Sequence, residues 1–218
     1  MNPTDSRTVV ERIRASTRGR HAELEGTPFS AAMLAGTLPL DRYVDQLAAY
    51  RTVLDALEGE LSRAGAPCVT SVWSADLVKI PCIDRDLMHF AEDGVFPGSR
   101  AGAPAVAFAR EVRAAAASDP LALLGFLYVL EGSTMGGMIL RRYVAEAYGL
   151  RDTDGVAYYA SGDRERWARF TARLDEALPG RAEQDGVVTA AGRAYHHIAA
   201  ISAALSTGLG AAAAQNAA

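Results

Sequence analysis

The sequence is poor in the features that mark several large protein classes. Only two of its 218 residues are cysteine, Cys68 and Cys82. Two cannot build a disulfide framework, and their spacing lacks the paired ligands of a structural zinc site. Positive charge is not in excess: the formal net charge of −4 gives no electrostatic reason to expect a nucleic acid as partner. The N-terminal Met-Asn-Pro-Thr-Asp-Ser-Arg lacks the basic-then-apolar run of a secretory signal, so the chain reads as mature and the reducing cytoplasm is the expected compartment. No segment alternates convincingly with the period of a strand. Nothing resembles a nucleophile–base triad, a phosphate loop or a nucleotide fingerprint.

What is present is helical periodicity almost throughout. Half of the residues are apolar, enough for a sizeable core in one domain. Tyr43, Leu47, Tyr50, Leu54, Leu57 and Leu61 step by four and three and draw one stripe down a helix that starts after Pro39 and ends near Gly65. Further helices are expected at roughly 5–25, 28–35, 71–80, 83–92, 104–117, 120–148, 162–178 and 184–208, separated by glycine- and proline-bearing connections. These make an all-α fold, with residues 1–210 as one domain and an Ala-rich tail over 211–218 expected to be disordered.

Two stretches stand out. The first is T-R-G-R-H-A-E-L-E, residues 17–25. Val10, Ile13, Thr17, His21 and Leu24 follow helical steps, which predicts His21 on the buried face. Glu25 follows one turn later, where its carboxylate can take the Nδ1 proton and leave Nε2 free as an acceptor or metal ligand. Arg14 lies on the same face, about 10 Å away along the axis. That span suits a flat ligand coordinated by His21 with an acidic edge held by Arg14; a satisfied core histidine is the other reading.

The second is L-L-G-F-L-Y-V-L-E-G-S-T-M-G-G-M-I-L-R-R, residues 123–142. Gly132, Gly136 and Gly137 fall inside a long helical pattern, where each costs about 1 kcal/mol relative to alanine. Three reasons are open: close packing of a second helix, approach of backbone to a flat ligand, or a membrane span through a Gly-x-x-x-Gly face. Against the span stands Glu131, whose carboxylate near a bilayer centre would cost about 2.5–3.5 kcal/mol.

Together, R-G-R-H-A-E-L-E and the L-Y-V-L-E-G-S-T-M-G-G that follows about 110 residues later resemble the bacterial haem oxygenases, in particular the branch that makes biliverdin for phytochromes. The likeness extends loosely over residues 8–205, with W-A-R-F-T-A-R-L at 167–174 similar to a late helix of the family. It implies a haem-oxygenase-like helical bundle with haem between an N-terminal proximal helix and a glycine-rich, kinked distal helix. His21 would be the proximal iron ligand, Glu25 its support, and Gly132, Ser133, Gly136 and Gly137 the distal surface. Arg14 is a candidate for holding a propionate by its spacing from His21; Arg169 and Arg173, basic residues on the late helix, are further candidates, with a solvated helix face as their other reading.

The same resemblance implies the chemistry. Haem b would be both cofactor and substrate, O2 the co-substrate, and an external donor, a ferredoxin or a flavin reductase, the source of electrons. The products would be biliverdin, ferrous iron and carbon monoxide, with a phytochrome as a possible receiver of the biliverdin. Many members carry aspartate after the first distal glycine, where Ser133 stands here; that leaves sterics and ordered water to steer the reaction. A haem carrier or sensor with the same pocket, or a related fold with another site or none, are the alternative classes. Asp86 and His89, at i and i+3, lack the partner helix of a di-iron site and are expected as a surface pair. Adjacent His196 and His197 point in different directions, and Trp73 and Trp167 are expected in the core or a pocket wall.

Overall fold

The computed structural model describes residues 7–209, so the proposed tail at 211–218 lies outside the described residues. Ten helices and one 3-10 turn appear among them: α1 (Val9–Glu25), α2 (Pro28–Leu34), α3 (Leu40–Arg63), α4 (Pro67–Val72), the 3-10 turn Ala75–Leu77, α5 (Ile80–Glu92), α6 (Gly102–Ser118), α7 (Ala122–Tyr148), α8 (Ala157–Ala160), α9 (Arg164–Ala177) and α10 (Arg181–Ser206). The chain is all-α, as the periodicity predicts.

Local chemistry sets the helix ends. Thr8 and Glu11 form a capping box that satisfies backbone donors at the start of α1. Thr27 caps α2 and Asp163 caps α9 by accepting from backbone N–H groups. Gly149, left-handed at φ 65°, ends α7. The helix expected over 71–80 is instead α4, which begins at Pro67, where a fixed φ favours the first helical turn, and gives way to the 3-10 turn. The single turn α8 was too short to show in the sequence pattern.

α7 is the central strut. Helical structure continues from Ala122 to Tyr148 through Gly132, Gly136 and Gly137, and most of the first half is buried. It is long and apolar enough to cross a membrane by length and composition, but 61% of its most apolar window is buried within the protein. The apolar run is thus accounted for by a core helix. Where it crosses α10 the backbones nearly touch: a Cβ on Gly125 would meet the Val187 carbonyl oxygen and the Ala190 and Ala191 backbone or methyl groups at under 3 Å. Glycine here has a packing cause.

Asp86 corrects an expectation. It is fully buried, not on the surface, and its two carboxylate oxygens accept from the N–H groups of Ala157 (2.7 Å) and Tyr158 (2.8 Å) at the start of α8. Burial pushes its carboxyl up to about 6 although both N–H donors pull the other way. His89 packs edge-on against Phe90, and His197 stacks on Phe108; neither histidine belongs to a metal-ligating cluster.

One buried ionic group ties α7 to its neighbours. Glu131 lies 2.8 Å from Lys79 Nζ and 2.8 Å from Arg166 Nε, with side chains of Glu131 and Lys79 almost wholly shielded from water. Removing one member of such a group leaves uncompensated buried charge. Glu131→Gln is expected to lower stability by about 3 kcal/mol or more, read as a shift in the urea midpoint at unchanged helical signal.

Candidate functional site

A cleft of about 880 Å³ opens between α1 and α10 on one side and α7, α8, α3 and α2 on the other. It falls in the size range of small-molecule and cofactor sites. The α1 wall carries Arg14, Thr17, Arg18, His21 and Glu25, one face of the helix read by steps of three and four. Thr17 is buried and spends its hydroxyl proton on the Ile13 carbonyl (2.8 Å), so the charged and basic groups are what this wall offers a ligand.

His21 does not sit among aliphatic side chains as expected. Its side chain is 57% exposed, and it points into the cleft, because the face that Val10, Ile13 and Thr17 bury against α9 and α10 runs out into open space at this end of α1. Its Nδ1 stands 3.5 Å from Glu25 Oε1, and the ring meets Tyr195 edge-on at 6.2 Å between centroids. This leaves Nε2 as the nitrogen available to a ligand. Among the described residues no three His, Cys, Asp or Glu side chains cluster. A single histidine suits an iron whose remaining donors arrive with the ligand, as in haem.

The opposite wall is built from α7. Gly132, Ser133 and Gly136 line the cleft. A Cβ on Gly136 would meet nothing within 4 Å, so that backbone is open to the cleft, while one on Gly132 would lie 3.3 Å from Trp167 Cη2. Gly137 is a different case and corrects its assignment to the ligand surface. It is buried, and a Cβ there would come within 2.9 Å of Tyr159 Cδ1 and 3.2 Å of the Tyr159 carbonyl oxygen; it lets α8 pack on α7. Adjacent residues on a helix lie about 100° apart, and here Gly136 faces the cleft while Gly137 faces α8.

The arginines divide in the same way. Arg14 lines the cleft and donates to the Tyr128 hydroxyl; that bond only partly offsets burial, which raises the Tyr128 phenol. Arg18, one turn on from Arg14, also lines the cleft, and the stepping that selects Arg14 and His21 passes through it. Arg169 and Arg173 do not line it. Arg169 lies 3.7 Å from Asp76, and Arg173 donates to Ser74 Oγ at 3.0 Å. α9 buries Phe170 and Leu174 and turns Trp167 toward the cleft, which puts the two arginines on its other side, over the 3-10 turn.

Among the cleft residues that the sequence reading did not assign to the site are Gln46, Tyr50 and Tyr159. Tyr50 sits in the apolar stripe of α3 and reads as core; Gln46 has no periodic signal, and Tyr159 belongs to the unpredicted α8. Tyr159 donates to Gln46 Oε1 at 2.7 Å. Burial pushes the Tyr50 phenol up to about 12 and raises Tyr159 well above the usual phenol range, so both stay protonated near neutral pH.

Residues 7–203 match the family model described as Heme oxygenase. The chain belongs to the heme oxygenase family. Its sequence is 24% identical over 196 residues to Heme oxygenase 1 of Nostoc, covering 87% of this chain and 82% of the relative, and 26% identical over 167 residues to Heme oxygenase of Xanthomonas campestris, covering 76% and 92%. The fold matches heme oxygenase-1 of Synechocystis, solved in complex with heme, at TM-score 0.82 and 23% identity over 97% of this chain and 98% of that one. It matches the enzyme of Leptospira interrogans at TM-score 0.79 and 19% identity over 92% and 99%. Oxidative cleavage of haem to biliverdin is the activity of this family of oxidoreductases, with haem as substrate and cofactor and O2 as co-substrate.

The two kinds of α7 glycine make opposite predictions. Gly125→Ala forces a methyl group into the α10 backbone and is expected to cost about 1–3 kcal/mol by overpacking. Gly136→Ala meets no atom and should stabilise the apoprotein by up to about 1 kcal/mol through helix propensity. Thermal unfolding of the two variants against wild type measures both.

Proposed function

We propose that the cleft would hold haem between its two walls, with His21 Nε2 on the α1 side available to the iron and the Gly132–Gly136 backbone lining the α7 side, within one domain spanning the described helices. The observation that carries this reading is the pairing, across one cleft, of a lone accessible histidine with a helix surface that lacks side chains at Gly136. Bound haem supplies the iron at which O2 is activated and the carbon framework that is cleaved.

The protein's own groups then have separable tasks. The Glu25 carboxylate, 3.5 Å from Nδ1, would favour the tautomer that presents Nε2. A neutral imidazole at His21 would push less electron density toward a bound iron than a thiolate would. Arg14 and Arg18 offer guanidinium forks to the propionates. Tyr128 and Trp167, packed at 5.2 Å between centroids, close the cleft beside Gly132. Gly132 and Gly136 would admit the ligand close to backbone.

Release of ferrous iron and carbon monoxide, supply of electrons by a ferredoxin or flavin reductase, and hand-over of biliverdin to a phytochrome complete the reading. The last rests on the likeness to the phytochrome-associated branch, and a cytoplasmic site of action fits all three. A carrier or sensor would bind haem in the same cleft without consuming it. Adding a reductant to the haem complex in air separates the two: loss of the Soret band with appearance of biliverdin absorption is expected, and a persistent reduced or oxygenated spectrum would favour the carrier.

His21→Ala is expected to lose the histidine-ligated Soret spectrum while keeping its thermal midpoint, because the side chain is exposed and supports no core packing. An unchanged spectrum would end the assignment. Ser133 tests the other wall. Its Oγ donates to the Leu130 carbonyl at 2.7 Å, so its proton is not available to water over the haem. Ser133→Ala should therefore slow single-turnover haem consumption by less than about tenfold, the factor equivalent to 1.36 kcal/mol of barrier; a larger slowing would give the hydroxyl a direct role.

A further inference from the structure

If haem occupies the cleft as proposed above, something on the α7 side must hydrogen-bond the water or oxygen that lies over it, and the obvious candidates are committed elsewhere. Ser133 gives its proton to Leu130, and the nearest other hydroxyl, that of Tyr158, stands 3.4 Å away. Tyr128 is engaged with Arg14. No aspartate, glutamate or histidine from α7, α8, α3 or α2 lines the cleft. Ser30 of α2 gives its proton to the Leu24 carbonyl at 2.8 Å, so the polar groups that remain on this wall are Gln46, Tyr50 and Tyr159.

Their hydrogen bonds have a direction. Tyr159, whose phenol stays protonated, donates to Gln46 Oε1 at 2.7 Å, which fixes the amide by its oxygen end. Tyr50 follows Gln46 by one helical turn on α3 and lines the same cleft. A carboxamide carries two N–H donors and one carbonyl, and a tyrosine adds one O–H. With the carbonyl occupied, the trio holds more donors than acceptors. A surplus of donors in a largely apolar cleft stabilises negative charge on an oxygen placed there.

We propose that Gln46 and Tyr50 are the residues that hydrogen-bond the oxygen ligand or ordered water on the distal side of the haem, and that Tyr159 is the positioning residue that orients the Gln46 amide to do so. In this chain they take the part for which Ser133 is unsuited. Asp86 keeps Tyr159 in register, since it anchors the N–H groups of Ala157 and Tyr158 at the start of the same turn. Gly137 has no Cβ where Tyr159 lies against α7.

The test is the pH at which the optical spectrum of the ferric haem complex changes from its water-bound to its hydroxide-bound form, measured for wild type, Tyr159→Phe and Gln46→Leu. Donors toward the ligand favour hydroxide and lower this midpoint, so losing one is expected to raise it by about half to one pH unit. Tyr159→Phe keeps the ring contacts with Tyr43 and Tyr158, and its thermal midpoint identifies it as folded. An upward shift in both variants, with little shift in Ser133→Ala, supports the assignment. A midpoint unchanged in folded Tyr159→Phe and Gln46→Leu overturns it. A His21→Ala protein that still gives the wild-type spectrum would instead fail the haem placement itself, so the two failures are distinguishable.

Discussion

The buried charge of Glu131 is the constraint on which the cleft depends. A carboxylate that deep in an apolar helix is stable only with cations brought to it, and the protein brings two: Lys79, its single lysine, from the segment before α5, and Arg166 from the first turn of α9. A second carboxylate, Glu58 of α3, accepts from the Lys79 N–H at 2.7 Å and the Ile80 N–H at 3.3 Å, so four segments meet at one point. The next residue after Glu131 is Gly132, and the next after Arg166 is Trp167, whose ring lies over Gly132. Pairing the two charges thereby places the aromatic wall of the cleft against the glycine that leaves room for it.

The two sides of the cleft are built on opposite principles. On α1 the functional groups are long, charged and exposed, and the helix beneath them is held by Val10, Ile13 and Thr17. Such side chains can adjust to a ligand that arrives from solvent. On the α7 side the surface is backbone and buried hydroxyls, held by close helix contacts at Gly125, Gly137 and Gly162, where the Thr134 carbonyl leaves no space for a Cβ. Rigid backbone over one face and adaptable charge at the other is a sound division for an enzyme that must hold its substrate firmly while that substrate is chemically altered.

Much of this was legible before any coordinates. Period 3.6 places Arg14, His21 and Glu25 on one face, and it was enough to mark Gly132 and Gly136 as unusual; both line the cleft. The same period misled where neighbours decide the outcome. Gly137 looked equivalent to Gly136, yet it serves packing against Tyr159, which comes from a single helical turn that no pattern announces. Arg169 and Arg173 looked suited to a propionate, yet α9 is rotated by its buried Phe170 and Leu174 so that they face Ser74 and Asp76. Asp86 looked like a surface residue because its partners are backbone N–H groups some seventy positions later in the chain.

The sequence by itself determined the helices, their faces and the pair of motifs that mark the family, because helical periodicity, capping and glycine content are local properties of the chain. Only the tertiary structure decided which side of each helix meets the cleft. His21 is exposed rather than buried because the α1 face that covers the core runs past the core's edge, and Gln46 is oriented because Tyr159 reaches it from across the fold at 2.7 Å. Burial and hydrogen-bond direction are relations between segments far apart in the chain, and a periodic pattern within one segment carries no record of them.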